Sequence, residues 1–586
     1  MRRLLPSLCT LLLLAASAPG APAAEPSAAS RALAGILDEH WQHRLETEAP
    51  LRLRRGLPVH ELPDLSFAAA QREADFARAL LGRLAAVDPR GLDHEEGLSL
   101  AILRWELERT VEAPERFWHF FQVTPYVWTF TGVNDVFARH RFAAPEDLAR
   151  YLRLLGQYPG RIDQLRANLA TQRGKGILLP KEELDLVVPL FRSLVRPPAE
   201  GAFAVAAERL AGLDAAALPA FRAAVERLVA AEVNPALERL LADLGPDYRA
   251  AAPDRVGLGQ YPGGDAVYRW VVRYHTTLDL TPEEVHQRGL AEVERLNGRM
   301  AEVRRRLGFT GTKAEFHAQL RRDPRFFAKT PEEVGERLMR PVRAVEPLVP
   351  RFFLRTPKAP YGVRRLDPRL EGSLTFGYYQ QPTPDEPTGL YFYNGSRLDE
   401  RPLVNAAALM LHELVPGHHF QIALQAENAA LPPSRREAGY TAYVEGWGEY
   451  ASELGLEMGV YEDPYDLYGR LGMDMFLSTR LVVDTGMHAL GWSRQRAADF
   501  MLEHALETPA QVHTETLRYA VDLPGQALAY KTGSTALKAL RAKAEQALGE
   551  RFDVRRFHDA VLGSGSMPLE ILEKHLEWWI EQQKRL

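Results

Sequence analysis

Helical periodicity is the strongest constraint on what this chain can become. After a small-residue and Pro-rich lead at Ala24–Ala29, apolar residues recur at three- and four-residue spacing among Ala, Leu, Glu and Arg to about Asp247, and again from near Pro402 to Leu586. That is the pattern of helices burying one face. Ala202–Leu244 carries it plainly, and Pro197-Pro198, Pro235 and Gly245-Pro246 punctuate it. Gly257–Gly264 is a turn-rich break. Two helix starts follow, Thr281-Pro282-Glu283-Glu284 and Thr330-Pro331-Glu332-Glu333. Each places Thr at the N-cap, Pro at the first helical position and Glu at the third. One stretch breaks the pattern. Leu374–Tyr379 and Leu390–Tyr393 are aromatic and β-prone, with Pro382, Pro384, Pro387 and Gly389 between them. They predict two short strands or a hairpin with a long connection. A chain of 586 residues exceeds what one core usually supports. The expectation is a mainly α, two-lobed protein with one small β-sheet.

The N-terminus predicts export. Arg2-Arg3 precede an apolar run from Leu4 to Ala18, and Ala21-Pro22-Ala23 offers a small-x-small cleavage site. The run is short for a bilayer span, which needs ~20 apolar residues. Residues 1–23 are therefore read as a signal peptide and the mature protein as periplasmic or secreted, without a membrane span. The one cysteine, Cys9, lies inside this segment and lacks the small residues that precede a lipidated cysteine. Disulfides and cysteine catalysis are thus excluded for the mature chain, and any metal must be held by His and carboxylates. Seventy-two basic against 77 acidic residues, net −5, give no footprint for nucleic acid.

The chemistry concentrates where an apolar helical run, Val404–Leu411, ends in His412-Glu413-Leu414-Val415-Pro416-Gly417-His418-His419. In the zinc-hydrolase motif H-E-x-x-H, two His at i and i+4 bind the metal and the Glu activates water there. Here Pro416 occupies the second His position, and proline disfavours a regular helix through this turn. Two geometries restore a ligand pair. A bulge at Pro416-Gly417 returns His418 to the second position. Alternatively, a regular helix places His419 two turns below His412, with ~10 Å between the Cα atoms, a long reach for one ion. His418 is favoured, with His419 as the alternative ligand or in a supporting, substrate-facing role. A glutamate among three histidines at the end of a buried helix is costly without a metal or charge partner.

A third ligand is expected from Glu445-Gly446-Trp447-Gly448-Glu449. Glu445 and Glu449 share a helical face. One carboxylate can bind the metal while the other holds a ligating His by its free ring N–H. Tyr393 and Asn394, at the end of the second aromatic run, are candidate substrate contacts, because an extended peptide can add along a strand edge. An aromatic core strand is the competing reading.

These segments resemble a bacterial family of unknown function, DUF885. Its marks are H-E-x-x-P-G-H-H, a downstream E-G-W, and R-L-V-V-D-x-G-x-H, matched here by His412–His419, Glu445–Trp447 and Arg480–His488. Arg518-Tyr519, Pro524–Ala527 and Tyr530-Lys531 extend the match. The wider likeness is to helical glutamate-zincins such as thimet oligopeptidase and angiotensin-converting enzyme. Dipeptidyl peptidase III is a precedent for an interrupted His-Glu motif, with one inserted residue where this chain has two. The resemblance implies a zincin-like fold with a deep cleft and one Zn²⁺ on His412, His418 and Glu445. It implies Glu413 as general base and Glu449 as the residue orienting a ligand. It also makes Tyr519, Tyr530 and His488 candidates for stabilising the oxyanion. Arg480, Arg518 and Lys531 either bind a substrate carboxylate or pair with Asp484 or Asp522.

The expected organisation is a signal peptide at 1–23, an N-terminal helical region at 24–256 and a catalytic metal-binding region at 257–586, with one family domain over about 30–583. The expected function is a zinc peptidase acting on short peptides. A metal-dependent amide or ester hydrolase and a non-catalytic periplasmic binding protein are the alternatives. A serine hydrolase is not supported, because Gly563-Ser564-Gly565-Ser566-Met567 lacks the nucleophile elbow.

Overall fold

A computed structural model of the protein describes residues 25–126, 128–368, 371 and 377–585, with backbone alone for residues 128–131. The signal-peptide segment lies outside the described residues, as do Leu374, Thr375 and Phe376 of the first expected strand.

The chain is mainly α-helical with one small sheet. The helix starts act as the sequence predicts, with one difference. Thr281 Oγ1 accepts from the Glu284 amide at 3.2 Å, and the Glu284 carboxylate accepts from the Thr281 amide at 2.8 Å, heading the Pro282–Arg306 helix. Thr330 caps Pro331–Val345 in the same way, but the Glu333 carboxylate turns to the Lys329 amide at 2.7 Å. Ala202–Leu244 is helical only from Leu218 onward. Before it runs irregular chain with one 3₁₀ turn at Ala207–Leu210, and the Asp214 carboxylate takes the Ala216 amide at 3.0 Å in a local turn. The helix then passes through Pro235, with a wider π turn at Val229–Val233, where proline leaves a carbonyl without its amide donor.

The sheet has three strands, β1 (Tyr361–Arg365), β2 (Gly377–Gln380) and β3 (Gly389–Tyr393), in the order β1-β3-β2. β2 lies antiparallel to β3 and β1 lies parallel to it, with Tyr361 opposite Gly389. The aromatic runs foretell β2 and β3. β1, Tyr-Gly-Val-Arg-Arg, has too little apolar alternation to announce itself. Its presence overturns one expectation. β3 is central, with both edges occupied, so no peptide can add along Tyr391–Asn394.

Two large cores organise the molecule. One joins residues between Ala49 and Val285 to residues between Leu481 and Leu528. The other joins Leu98, Ile102 and Trp105 to residues between Ala328 and Ile580. They cut across the expected division at residues 256 and 257. The cause is the long Pro464–Ala489 helix, which packs along Pro282–Arg306 and gives Leu481, Val483 and Met487 to the first core. Among the described residues no helix is long and apolar enough to cross a membrane.

Candidate metal centre

His412 and Glu413 end the Ala406–Glu413 helix. Leu414–Gly417 then form a tight loop, and a new helix runs from His418 to Glu427. A Cβ on Gly417 would sit 1.8 Å from the His412 carbonyl oxygen, so the chain folds back this closely only because the residue is glycine. Trp447 Nε1 donates to the Pro416 carbonyl at 2.9 Å and pins the loop. The result is the bulged geometry. The His412 and His418 rings meet edge to face, with centroids 4.5 Å apart.

Glu445 rises to the same point from the Thr441–Leu454 helix. Its Oε2 lies 3.4 Å from His412 Nε2 and 3.2 Å from His418 Nε2, and one ligand atom from each residue falls within 4.8 Å of the others. Ligands of a tetrahedral zinc, each ~2.0–2.1 Å from the ion, stand ~3.3 Å apart, so the spacing fits. Glu445 Oε2 is buried with the two imidazole nitrogens beside it, an electron-rich point suited to a cation. The charge balance agrees. Burial works to lower the His412 pKa, yet hydrogen bonds and charge from Glu445 and Glu449 carry it up to about 10. Burial works to raise the Glu445 carboxyl, yet the His418 charge and bonds from both histidines hold it well below the usual carboxylate range. Two imidazoles and one carboxylate form a donor set suited to Zn²⁺.

The His412 ring is fixed on every side. Its Nδ1 is 2.9 Å from Glu449 Oε1, which leaves Nε2 facing Glu445. Arg470 Nη2 holds the other Glu449 oxygen at 3.0 Å. Burial favours a neutral Glu449, but the Arg470 charge and the His412 bond keep it below the usual range. A Cβ on Gly448 would come within 2.8–2.9 Å of the His412 ring, and Tyr530 stacks near-parallel to that ring at 6.2 Å. Sequence reasoning missed Arg470. Its one signal is an arginine among the apolar residues of the Pro464–Ala489 helix, where it is buried.

Glu413 and Leu409 are the two residues of the Ala406–Glu413 helix that are not fully buried. They lie four apart, so they share a face. Leu409 lines a cavity of about 490 Å³ together with Tyr391, Tyr393, Asn394, Leu403 and Gln511. Burial raises the Glu413 carboxyl above its ordinary value, against the pull of His418 and His412. A raised carboxyl is suited to exchanging protons near neutrality.

The remaining candidates divide. His419 turns away from the centre to the sheet, with Nδ1 2.9 Å from the Tyr379 hydroxyl and Nε2 3.1 Å from the Ala359 carbonyl. It is neither the alternative ligand nor a support for one. His488 is engaged at both nitrogens, by the Leu258 amide at 2.8 Å and the Tyr519 carbonyl at 3.0 Å, so it cannot serve an oxyanion. The Tyr519 hydroxyl donates to Glu515 and accepts from Arg480 Nε at 2.7 Å, so it is committed as well. Tyr530 remains beside the centre. Burial and the Glu445 charge push its hydroxyl up to about 12, so it keeps its proton at neutral pH.

The three cations are structural, though not with the partners expected. Arg480 and Arg518 both pair with Glu515, and Lys531 pairs with Asp474 at 2.5 Å and Glu292 at 2.8 Å. None pairs with Asp484 or Asp522 in these bonds. Tyr393 and Asn394 line the cavity, but the Asn394 amide is tied to the Glu371 carbonyl and its oxygen to Ser396.

The fold is shared with solved structures. A candidate lipoprotein from Colwellia psychrerythraea superposes with a TM-score of 0.87 at 24% identity, over 95% of this chain and 100% of that one. A candidate lipoprotein of unknown function from Shewanella oneidensis does so with a TM-score of 0.70 at 19% identity, over 94% and 99%. No curated protein matches the chain. The profile of the bacterial proteins of unknown function named DUF885 matches residues 51–576, and the chain belongs to that family.

Proposed function

We propose that the protein is an exported zinc-dependent peptidase acting on short peptides. The observation that carries this reading is the convergence of His412 Nε2, His418 Nε2 and Glu445 Oε2 beside Glu413. Zinc in such a donor set supplies Lewis acidity, polarising a carbonyl and making water nucleophilic at neutral pH. Glu413, on the half-open face of its helix, takes the proton from the attacking water and returns it to the leaving amine. A purely binding site has no need of that carboxylate. Tyr530 offers a protonated hydroxyl to the developing oxyanion. Glu449, held by Arg470, fixes the orientation of His412. The cavity beyond Leu409 receives a substrate side chain. Likeness in fold to candidate lipoproteins supports export.

The test is Glu413→Gln, assayed on a library of short peptides and on simple esters. The expected result is retained zinc with hydrolysis reduced about 10²–10⁴-fold. Ester turnover without peptide turnover in the wild type would move the reading to a non-peptide hydrolase. Undiminished turnover in the variant would remove Glu413 from the chemistry.

A further inference from the structure

A second group of acidic side chains is buried, remote in kind from the histidine centre. Glu183, in the first turn of the Lys181–Leu194 helix, has no solvent exposure, and neither carboxylate oxygen makes a hydrogen bond. Asp522, closing the turn at Arg518–Asp522, is buried too. The Asp522 charge acts directly on Glu183. A third segment completes the group. The Thr124 hydroxyl and the Tyr126 amide face the Asp522 carboxylate, and Thr124 is itself fully buried.

Two buried carboxylates from separate stretches of chain thus act on one another, and Glu183 has no donor at all. Burial, with the Asp522 charge, pushes Glu183 up to about 9, and burial carries Asp522 to about 6 against the pull of Thr124, Tyr126 and Arg518. Arg494 is near enough to act on Glu183, but its guanidinium is held by Glu182 and His513. Two buried carboxylates left this way need a positive charge between them, either a shared proton or a metal ion.

We propose that Glu183, Asp522 and Thr124 form a calcium site that ties the N-terminal helices to the turn at Arg518–Asp522. The donor set chooses the ion. It contains only oxygen, with no imidazole, so a hard cation fits and zinc does not. Ca²⁺ accepts six to eight oxygens in irregular geometry, including carboxylates bound through both atoms, whereas Mg²⁺ demands near-octahedral order and keeps its water. Extracellular modules hold Ca²⁺ with Kd on the order of 10⁻⁴–10⁻³ M. The site stands apart from the peptidase reading. Arg518, at the head of this turn, pairs with Glu515, which also holds Arg480 and Tyr519.

The test uses the full zinc-loaded protein freed of calcium, with Ca²⁺ then titrated by calorimetry and by thermal melting. One Ca²⁺ per chain is expected, with Kd on the order of 10⁻⁴–10⁻³ M. At about 10 mM Ca²⁺ the Tm should rise by about 1–3 °C, and equal Mg²⁺ should not reproduce this. Asp522→Asn and Glu183→Gln should each abolish the calcium response while leaving zinc content unchanged. A wild type indifferent to calcium in both readouts overturns the proposal and leaves a carboxyl pair sharing a proton. So does a calcium response that survives both substitutions. If Asp522→Asn does not fold, Glu183→Gln, which mimics the protonated acid, decides alone.

Discussion

At the scale of single residues, the centre depends on which nitrogen of His412 faces inward, and Glu449 decides that. Its bond to His412 Nδ1 leaves Nε2 facing Glu445, and Arg470 keeps Glu449 ionised. Glu449→Gln is therefore expected to weaken zinc binding about 10–100-fold with the fold intact, the usual effect of removing such a support. A competitive chelator titration measures it; unchanged affinity would mean that His412 is held by packing alone. The ligands His412 and Glu445 were legible because residue type and spacing point to chemistry. Arg470 was not legible, since an arginine within the Pro464–Ala489 helix does not by itself say what it pairs with. Tyr519, His488 and Lys531 show the converse. Each is of a type that catalysis uses, yet each is held by a partner from a distant segment, Arg480 on Tyr519, Leu258 on His488 and Asp474 on Lys531, and distant pairing is not written in local sequence.

At the scale of elements, two features bring the ligands together. The loop at Leu414–Gly417 replaces one helical turn, and the Thr441–Leu454 helix presents Glu445, Trp447, Gly448 and Glu449 in one run. Trp447 holds the loop, Gly448 makes room for the His412 ring, and the two glutamates face that ring at its two nitrogens. Gly448→Ala tests this division of labour. Alanine favours a helix interior over glycine by about 1 kcal/mol, so a residue that only built the helix would gain stability from the change. The structure instead predicts that the methyl group displaces the His412 ring, with zinc affinity falling at least about tenfold while helical circular dichroism is kept. Retained affinity would show that the ring has slack. Proline at position 416 announced that the helix must break, but not which way the chain would leave. That depends on Gly417 folding against the His412 carbonyl, a contact between backbones that no side-chain pattern records.

At the scale of the whole molecule, helical content and the aromatic strands were readable from periodicity, whereas the division into lobes was not. The two cores exchange segments, and the Pro464–Ala489 helix serves both sides of the exchange. Asp484 sits on this helix, buried, accepting from the Tyr268 hydroxyl at 2.5 Å and the Gly525 amide at 3.1 Å. Burial pushes its carboxyl up to about 7, outweighing those bonds. Between about pH 4 and 7 the folded protein thus keeps a proton that the unfolded chain has released. The sign follows from linkage. This contribution to stability is greatest below pH 4 and is lost as pH rises through 7, a change of a few kcal/mol at most. Melting curves from pH 5 to 8 should show a downward slope that Asp484→Asn flattens. An identical slope in the variant would place its origin elsewhere.

The most direct measurement of the central claim is zinc content, by elemental analysis of the purified wild type beside His418→Ala and His419→Ala. The account predicts about one zinc per chain in the wild type and in His419→Ala, and little in His418→Ala, because His418 faces Glu445 while His419 faces the sheet. A wild type that binds no zinc when zinc is supplied, or a His418→Ala protein that keeps it, would contradict the account.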